Sequence, residues 1–124
     1  MVEEVLRYDS PVQLTSRTSM RDTVIGGLEV AADTQAIVLI GAANRDPAVC
    51  DEPEAFEPGR EPGRHLAFGQ GIHFCLGSPL ARLEGRIAFR ELARRAPGMT
   101  LAGAPSWSST TTLRGLASLP VNYS

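Results

Sequence analysis

The stretch Phe68-Gly69-Gln70-Gly71-Ile72-His73-Phe74-Cys75-Leu76-Gly77 holds most of the functional information in this 124-residue chain. Its cysteine, Cys75, stands where a glycine-rich loop meets a predicted helix. Glycine permits tight turns and lets the backbone approach a ligand where a Cβ atom would collide. The unpaired N–H groups and partial positive charge at a helix start favour thiolate over thiol. A lone cysteine is more often small, inert and buried, but that role needs none of these neighbours. The stretch therefore predicts a thiolate presented to a flat, bulky ligand.

These ten residues also resemble the haem-ligand loop of the cytochrome P450 family, whose pattern is Phe-x-x-Gly-x-His/Arg-x-Cys-x-Gly. Three other stretches resemble soluble bacterial members: Asn44-Arg45-Asp46-Pro47, Leu80-Ala81-Arg82-x-Glu84 and residues 114–121. The resemblance runs over residues 2–123 and corresponds to the C-terminal part of the family's chain. It implies a haem b cofactor (iron protoporphyrin IX) whose iron is bound by the Cys75 thiolate, which leaves the opposite face of the haem open to oxygen.

The resemblance implies haem contacts for residues in and before this loop: Arg17, His65, Phe68, Gly69, His73, Cys75, Leu76 and Gly77. Backbone N–H groups of Leu76 and Gly77 can donate to the sulfur. Arg17, His65 and His73 are the candidates for pairing with the two haem propionates, since carboxylates prefer arginine and histidine partners. The residues alone leave other interpretations open. Arg17 can be a solvated charge on a strand, and either histidine can be an ordinary surface or core residue.

Glu4 and Arg7 are spaced to pair on one face of a short helix. Spacing alone favours an exposed ion pair worth a few tenths of a kcal/mol. The resemblance instead implies the family's Glu-x-x-Arg helix, joined by a second arginine that matches Arg60 here. Such a triad is structural, because a guanidinium can bridge a carboxylate and backbone carbonyls at once.

Apolar periodicity, glycines and prolines divide the chain into recognisable segments. They are a short helix over residues 2–8, β structure over 13–40 with a turn at Gly26-Gly27, an irregular segment over 46–64, the cysteine loop, a long helix over 76–96, and a tail of loop and short strands over 101–124. The helix carries an apolar stripe of Leu76, Leu80, Leu83 and Ile87. We predict an α+β class and one segment, residues 1–124, equivalent to the C-terminal part of the mainly α cytochrome P450 fold.

Composition excludes several other classes of protein. The net charge of −2 gives no reason to expect nucleic acid or a membrane as partner, and two cysteines are too few for a disulfide framework. Cys50, His65, His73 and Cys75 lack the close spacings of a zinc site. Gly69-x-Gly71 is followed by Phe74 where a dinucleotide-binding loop needs glycine. The acidic N-terminus does not resemble a secretion signal, so we expect a cytoplasmic protein with reduced thiols.

The resemblance implies a monooxygenase that inserts one oxygen atom of O2 into a small apolar organic substrate. Electrons come from a ferredoxin or flavoprotein, for which the basic strip Arg82, Arg86, Arg90 and Arg94 is a candidate dock; a solvated helix face is the equal alternative. Complete members are much longer, and the distal helix with its acid–alcohol pair has no counterpart here. The alternative is therefore a truncated, non-catalytic haem-binding fragment or gene remnant, and we expect the chain alone to be inactive.

Overall fold

A computed structural model describes residues 1–61 and 63–123. The described residues form helices, a single 3₁₀ turn and short strands in this order: α1 (Val2–Tyr8), β1 (Leu14–Thr18), β2 (Thr23–Ile25), β3 (Leu28–Val30), β4 (Gln35–Leu39), α2 (Ile40–Ala43), the 3₁₀ turn (Gly71–His73), α3 (Ser78–Arg95), β5 (Thr100–Leu101), β6 (Ser106–Trp107), β7 (Leu116–Ser118) and β8 (Val121–Asn122). The predicted segments 46–64 and 101–124 each include one residue, Pro62 and Ser124, that lies outside this description.

The strands pair as four separate antiparallel ribbons: β1 with β4, β2 with β3, β5 with β8, and β6 with β7. In the first ribbon Leu14 faces Leu39 and Thr18 faces Gln35. The β2–β3 hairpin turns at Gly26 and Gly27, as predicted, where φ is 58° and 85°. Positive φ at both central residues matches the twist of the flanking strands, and only glycine adopts it without steric cost.

Helix α3 begins at Ser78, two residues later than the sequence predicts, with Gly77 as the residue before its first turn. Pro79 stands within that turn, where its missing N–H is one of the groups left unpaired anyway. Further along, α3 lies against α1 at Gly85. A Cβ atom there would lie 3.3 Å from Cγ1 of Val2, so glycine lets the two helices approach closely.

The interior of the described chain is largely polar. Its buried residues are the apolar Ile40, Ala67 and Ala96 and the polar or charged Glu4, Arg7, Ser10, Asn44 and Ser78. The apolar stripe predicted on the long helix faces outward, since all four of its members are exposed. Within the described ranges, residues 44–61 and 63–70 contain no helix or strand. Side chains must therefore hold that segment in place.

The C-terminal tail returns to the N-terminal helix. Leu113, predicted as a strand residue, forms an isolated antiparallel bridge with Val12. Arg114 pairs with Asp9, and its guanidinium stacks 3.9 Å above the ring of Trp107. Across the part of the chain that the structure describes, no helix has the length and apolar character needed to cross a membrane.

Candidate haem-ligand site

The cysteine loop is closed by hydrogen bonds of its own backbone. The N–H of Cys75 donates to the carbonyl of Phe68 at 2.8 Å, and the N–H of Phe74 donates to Gly71 at 3.1 Å. Gly69 and Gly71 have φ of 70° and 67°, a region that other residues rarely adopt. A Cβ atom on Gly69 would also lie 3.3 Å from the carbonyl oxygen of His73. The glycines therefore let the chain double back beneath the cysteine.

Cys75 presents a free, exposed thiol at the top of this loop. Its carbonyl accepts the Ser78 N–H at 3.2 Å, which fixes the residue at the start of α3. Within residues 1–61 and 63–123, no group donates a hydrogen bond to its sulfur, so donation from Leu76 and Gly77 stays a prediction. A Cβ atom on Gly77 would lie 3.8 Å from Sγ, and the glycine leaves that space open.

Exposed apolar side chains stand close to Cys75 in the sequence of the loop. Ile72 and Leu76 are 97% and 96% exposed, and Phe74 is also exposed. A thiolate is a good ligand for iron, and a flat apolar macrocycle would cover side chains that water otherwise solvates poorly. The residues present therefore fit a haem bound through Cys75.

Of the three propionate candidates, Arg17 and His73 are exposed. Arg17 lies in β1, where its Nη1 donates to the carbonyl of Ser16 at 2.7 Å and approaches Thr15. His73 ends the 3₁₀ turn. Among the described residues neither side chain has an acidic partner, so both are open to a carboxylate ligand.

His65, the third candidate, is held inside the protein. Its side chain is 5% exposed, and its Nε2 lies 2.9 Å from Oε2 of Glu3. Its Nδ1 accepts the N–H of Ala67 at 3.3 Å. Because both ring nitrogens have partners, His65 has no free donor for a propionate in this conformation. The propionate contact of His65 stays a prediction.

Sequence reasoning missed Glu3, which joins His65 to Arg82. Arg82 donates through Nε and Nη2 to the two Glu3 oxygens at 2.8 and 3.0 Å. Hydrogen bonding from Arg82, and more weakly from His65, lowers the pKa of Glu3 from 4.5 to about 2, against the opposing effect of burial. The chain separation between Glu3 and its partners left no local pattern by which to find it.

The Glu4, Arg7 and Arg60 side chains meet, as the resemblance implied. Arg7 donates from Nε and Nη2 to the two Glu4 oxygens, and Arg60 Nε lies 3.3 Å from Glu4 Oε1. The N–H of Glu57 donates to the same oxygen at 3.0 Å. Hydrogen bonding from Arg7 is the main reason that the pKa of Glu4 falls from 4.5 to about 2.

Both arginines also hold the irregular segment. Arg7 donates to the carbonyls of Pro53 and Ala55, each at 2.9 Å, and to that of Asn44 at 3.2 Å. Arg60 donates to the carbonyl of Asp51 at 2.8 Å, with longer contacts to two others. Guanidinium groups thus satisfy carbonyls that a helix or sheet would otherwise pair.

Among the described residues, some arginines of the basic strip on α3 are paired with carboxylates, and others are open to a partner. Arg82 is paired with Glu3, while Glu91 accepts from Arg94 and Arg95, each at 2.8 Å. Arg90 lies 3.7 Å from Glu91 and is well exposed. Within the described residues Arg86 has no acidic partner. The strip therefore offers fewer free charges than its sequence predicts.

The second cysteine takes no part in the loop. Cys50 is half-buried, and its Sγ lies 3.5 Å from the carbonyl of Asp51. In the part of the chain described by the structure, no group of three or more His, Cys, Asp or Glu side chains is arranged to hold a metal ion. Cys75 is therefore the sulfur donor that the cysteine loop presents.

The fold and the cysteine loop are those of a candidate haem-binding protein, and comparison with known proteins identifies the family. A sequence model of the family described as Cytochrome P450 matches residues 1–95. The chain belongs to the cytochrome P450 family.

Similar proteins come from bacteria. The chain is 48% identical to the polyketide biosynthesis cytochrome P450 PksS of Bacillus subtilis, over 99% of this chain and 31% of that protein. It is 44% identical to the 6-deoxyerythronolide B hydroxylase of Saccharopolyspora erythraea, over 97% of this chain and 30% of that protein. The chain thus spans about a third of the length of these relatives.

Solved structures of cytochromes P450 superimpose on this chain. A crystal structure of P450BioI, in complex with an acyl carrier protein ligated to hexadec-9Z-enoic acid, superimposes with a TM-score of 0.95 at 43% identity. The superposition covers 98% of this chain and 32% of the P450BioI chain. The structure of Bacillus subtilis PksS gives a TM-score of 0.93 at 47% identity, with the same two coverages. The prediction of a C-terminal cytochrome P450 fold is confirmed.

Proposed function

We propose that this chain supplies the thiolate side of the haem site in a monooxygenase that inserts one oxygen atom of O2 into an organic substrate. The observation that carries the proposal is the exposed Cys75 thiol on a closed glycine loop, flanked by apolar side chains. An inert cysteine needs neither the positive-φ glycines nor exposed apolar neighbours in the loop sequence. Family membership supports the kind of reaction.

Cys75 would bind the iron of haem b, and Arg17 and His73 would pair with its propionates. Phe68, Gly69, Leu76 and Gly77 complete the loop beside the macrocycle. When bound through a thiolate, haem supplies the one-electron and oxygen chemistry of the reaction. The chain itself holds Cys75 in place. The Cys75 N–H donates to the Phe68 carbonyl and the Ser78 N–H donates to the Cys75 carbonyl, which fixes the backbone on both sides of the cysteine.

An acidic electron donor, a ferredoxin or a flavoprotein, would dock near Arg86 and Arg90. These are the members of the α3 strip that support such a contact, because Arg82 is already paired with Glu3. Charge complementarity of this kind steers association more than it adds affinity. The exposed apolar residues of β4 support a small apolar substrate. We propose a cytoplasmic setting and treat residues 1–124 as one haem-binding segment.

The second candidate is a haem-binding segment without catalysis. The chain's coverage of about a third of the relatives' length supports it, because controlled oxygen chemistry needs a site from which bulk water is excluded. A surrogate ferredoxin and reductase with a panel of apolar substrates separates the two candidates. Coupled product formation supports the monooxygenase, and haem binding without product supports the second candidate.

The test of haem ligation is spectroscopic. The full chain is titrated with hemin, reduced and exposed to carbon monoxide, and the position of the Soret band reports whether a thiolate binds the iron. We expect a thiolate signature that Cys75→Ala abolishes. Cys50→Ser is the matched control and should leave it unchanged, because Cys50 lies outside the loop. A signature that survives Cys75→Ala contradicts the assignment.

A further inference from the structure

Three side chains from distant parts of the chain converge near Phe68, the first residue of the cysteine loop. Glu3 comes from α1, His65 from the segment before the loop, and Arg82 from α3. The Glu3 carboxylate receives two hydrogen bonds from Arg82 and one from His65. A carboxylate held by a two-point guanidinium contact and an imidazole has little freedom to rotate. The cluster is therefore a rigid joint between α1, α3 and the chain that enters the loop.

This joint reaches Cys75 through Phe68. The Arg82 guanidinium lies 4.6 Å from the centroid of the Phe68 ring, and the His65 ring lies 6.2 Å from it. A cation over an aromatic face is attracted to it, so the Arg82 guanidinium and the His65 ring both restrict the Phe68 ring. The carbonyl of Phe68 in turn accepts the N–H of Cys75 at 2.8 Å.

The hydrogen-bond pattern also defines the His65 tautomer. Its Nδ1 accepts from the Ala67 N–H, so the Nε2 carries the proton and donates to Glu3. The imidazole thus connects the backbone just before Phe68 to the Glu3 carboxylate. Glu3 consequently acts on Phe68 by two routes, one through the Arg82 side chain and one through the backbone next to His65.

We propose that Glu3 is a positioning residue for the thiolate ligand, acting through Arg82 and His65 on Phe68 and hence on the backbone of Cys75. Its carboxylate also balances the Arg82 charge beside the loop. Loss of the carboxylate leaves a cation that favours the reduced, more negative iron centre, and loss of Arg82 does the opposite. Only this charge effect rests on the proposed haem site; the backbone effect does not.

The first measurement is residue-resolved hydrogen exchange on the haem-free full chain. Glu3→Gln and Arg82→Gln should each speed exchange at the Cys75 amide about tenfold or more, because each breaks a charge-assisted contact. The double variant should add little, since both changes break the same joint. Glu54→Gln is the matched control: it removes an exposed carboxylate paired with Arg45 and should leave the Cys75 amide unchanged.

The backbone N–H of Gln13, which donates to the carbonyl of Thr112, serves as the reference for global unfolding. If a glutamine variant loses protection there as well, Arg82→Lys replaces it, since lysine keeps the charge but lacks the two-point contact. That variant should still speed exchange at Cys75 alone. Unchanged Cys75 exchange in Glu3→Gln, or a Cys75 amide already unprotected in the unsubstituted chain, overturns the proposal.

The second measurement is the midpoint potential of the haem-loaded chain. Glu3→Gln should raise it, Arg82→Gln should lower it, and the double variant should return it toward the starting value. A purely structural loosening would shift both single variants the same way, and that result overturns the charge effect. If the unsubstituted chain shows no thiolate signature, the proposed haem function fails, and hydrogen exchange alone decides the role of Glu3.

Discussion

The Glu4 carboxylate and the Arg7 guanidinium form a two-point ion pair in the protein interior, with both N···O distances at 2.8 Å. The two residues are 4% and 5% exposed. A buried ion pair is favourable only when further hydrogen bonds satisfy both partners. Here Glu4 accepts further hydrogen bonds from the Glu57 N–H and from Arg60, and Arg7 donates further hydrogen bonds to three backbone carbonyls. The pair therefore stabilises the irregular segment as well as itself.

Arg7→Ala should destabilise the protein more than Arg60→Ala. Removing Arg7 leaves the Glu4 charge buried without its main partner and frees three carbonyls, a loss of about 3–5 kcal/mol. Arg60 is more exposed and its contact with Glu4 is longer, so its loss should be smaller. Urea unfolding gives the free energies, and hydrogen exchange over residues 46–61 shows whether that segment opens. We also expect weaker haem binding in both variants.

Arg90→Ala is the control for this pair, because Arg90 is 73% exposed and makes only a long contact with Glu91. Its unfolding free energy should stay within about 0.5 kcal/mol of the unsubstituted chain. An Arg60→Ala protein with unchanged stability and haem affinity would show that Arg60 is not part of a working triad.

Stability should fall in acid because of Glu4. Its pKa is lowered from 4.5 to about 2 in the folded protein, mainly by Arg7. A carboxyl with a depressed folded-state pKa stabilises the protein fully above its unfolded pKa and loses that contribution as the pH drops through the folded value. At about 1.4 kcal/mol per pKa unit, the contribution of Glu4 is on the order of 3 kcal/mol.

The pH effect is measured by urea unfolding of the unsubstituted chain and Glu4→Gln between about pH 6 and pH 2. The two should differ most above pH 4.5 and converge as the pH approaches about 2. Glu54→Gln, which removes an exposed carboxylate, should run parallel to the unsubstituted chain. A difference between the chain and Glu4→Gln that stays constant across this range contradicts the assignment of the acid loss to Glu4.

Local signals were sufficient for much of the fold. The bounds of α1 and the Gly26-Gly27 turn follow from sequence, because a proline-stopped helix and a double glycine act over a few residues. The α2 helix was missed, since Ile40 continues the apolar run of β4. The predicted start of α3 was two residues early, because Leu76 fits the apolar spacing but precedes the helix.

In the candidate site, too, residues close together in the sequence could be predicted, and partners far apart in the sequence could not. The cysteine loop is contiguous, so its glycines and Cys75 could be recognised from the residues. Arg60 was found only through the family resemblance. The partners of His65 and Arg82 could not be found, because Glu3 is 62 and 79 residues away along the chain. An ion pair between such distant residues is set by tertiary packing and leaves no periodic pattern.

Gly69→Ala should be more costly than Gly71→Ala. Both residues have positive φ, which costs a side-chain-bearing residue about 1–2 kcal/mol. A Cβ atom on Gly71 would meet open space, whereas one on Gly69 would press against the His73 carbonyl. Urea unfolding of the two variants gives the difference, and the position of the Soret band shows whether the loop still presents Cys75. Equal losses of stability in the two variants would mean that the positive φ, and not contact with the His73 carbonyl, sets the cost at both positions.

The last prediction concerns the exposed apolar side chains beside Cys75. Ile72 and Leu76 are almost fully exposed, and Phe74 lies between them in the chain. Contiguous apolar patches larger than a few hundred Å² promote association or ligand binding. We therefore expect the haem-free chain to bind an apolar fluorescent dye and to self-associate as its concentration rises, as judged by sedimentation velocity.

Substitution of both Ile72 and Leu76 by Ser should reduce dye binding and association, and hemin should displace the dye from the unsubstituted chain if it covers the same side chains. Leu28→Ser is the matched control, because Leu28 is also exposed but lies in the β2–β3 hairpin, away from the loop sequence. It should leave the competition between dye and hemin unchanged. A chain that stays monomeric, binds no dye and unfolds cooperatively without haem would show that these side chains are not an interaction surface.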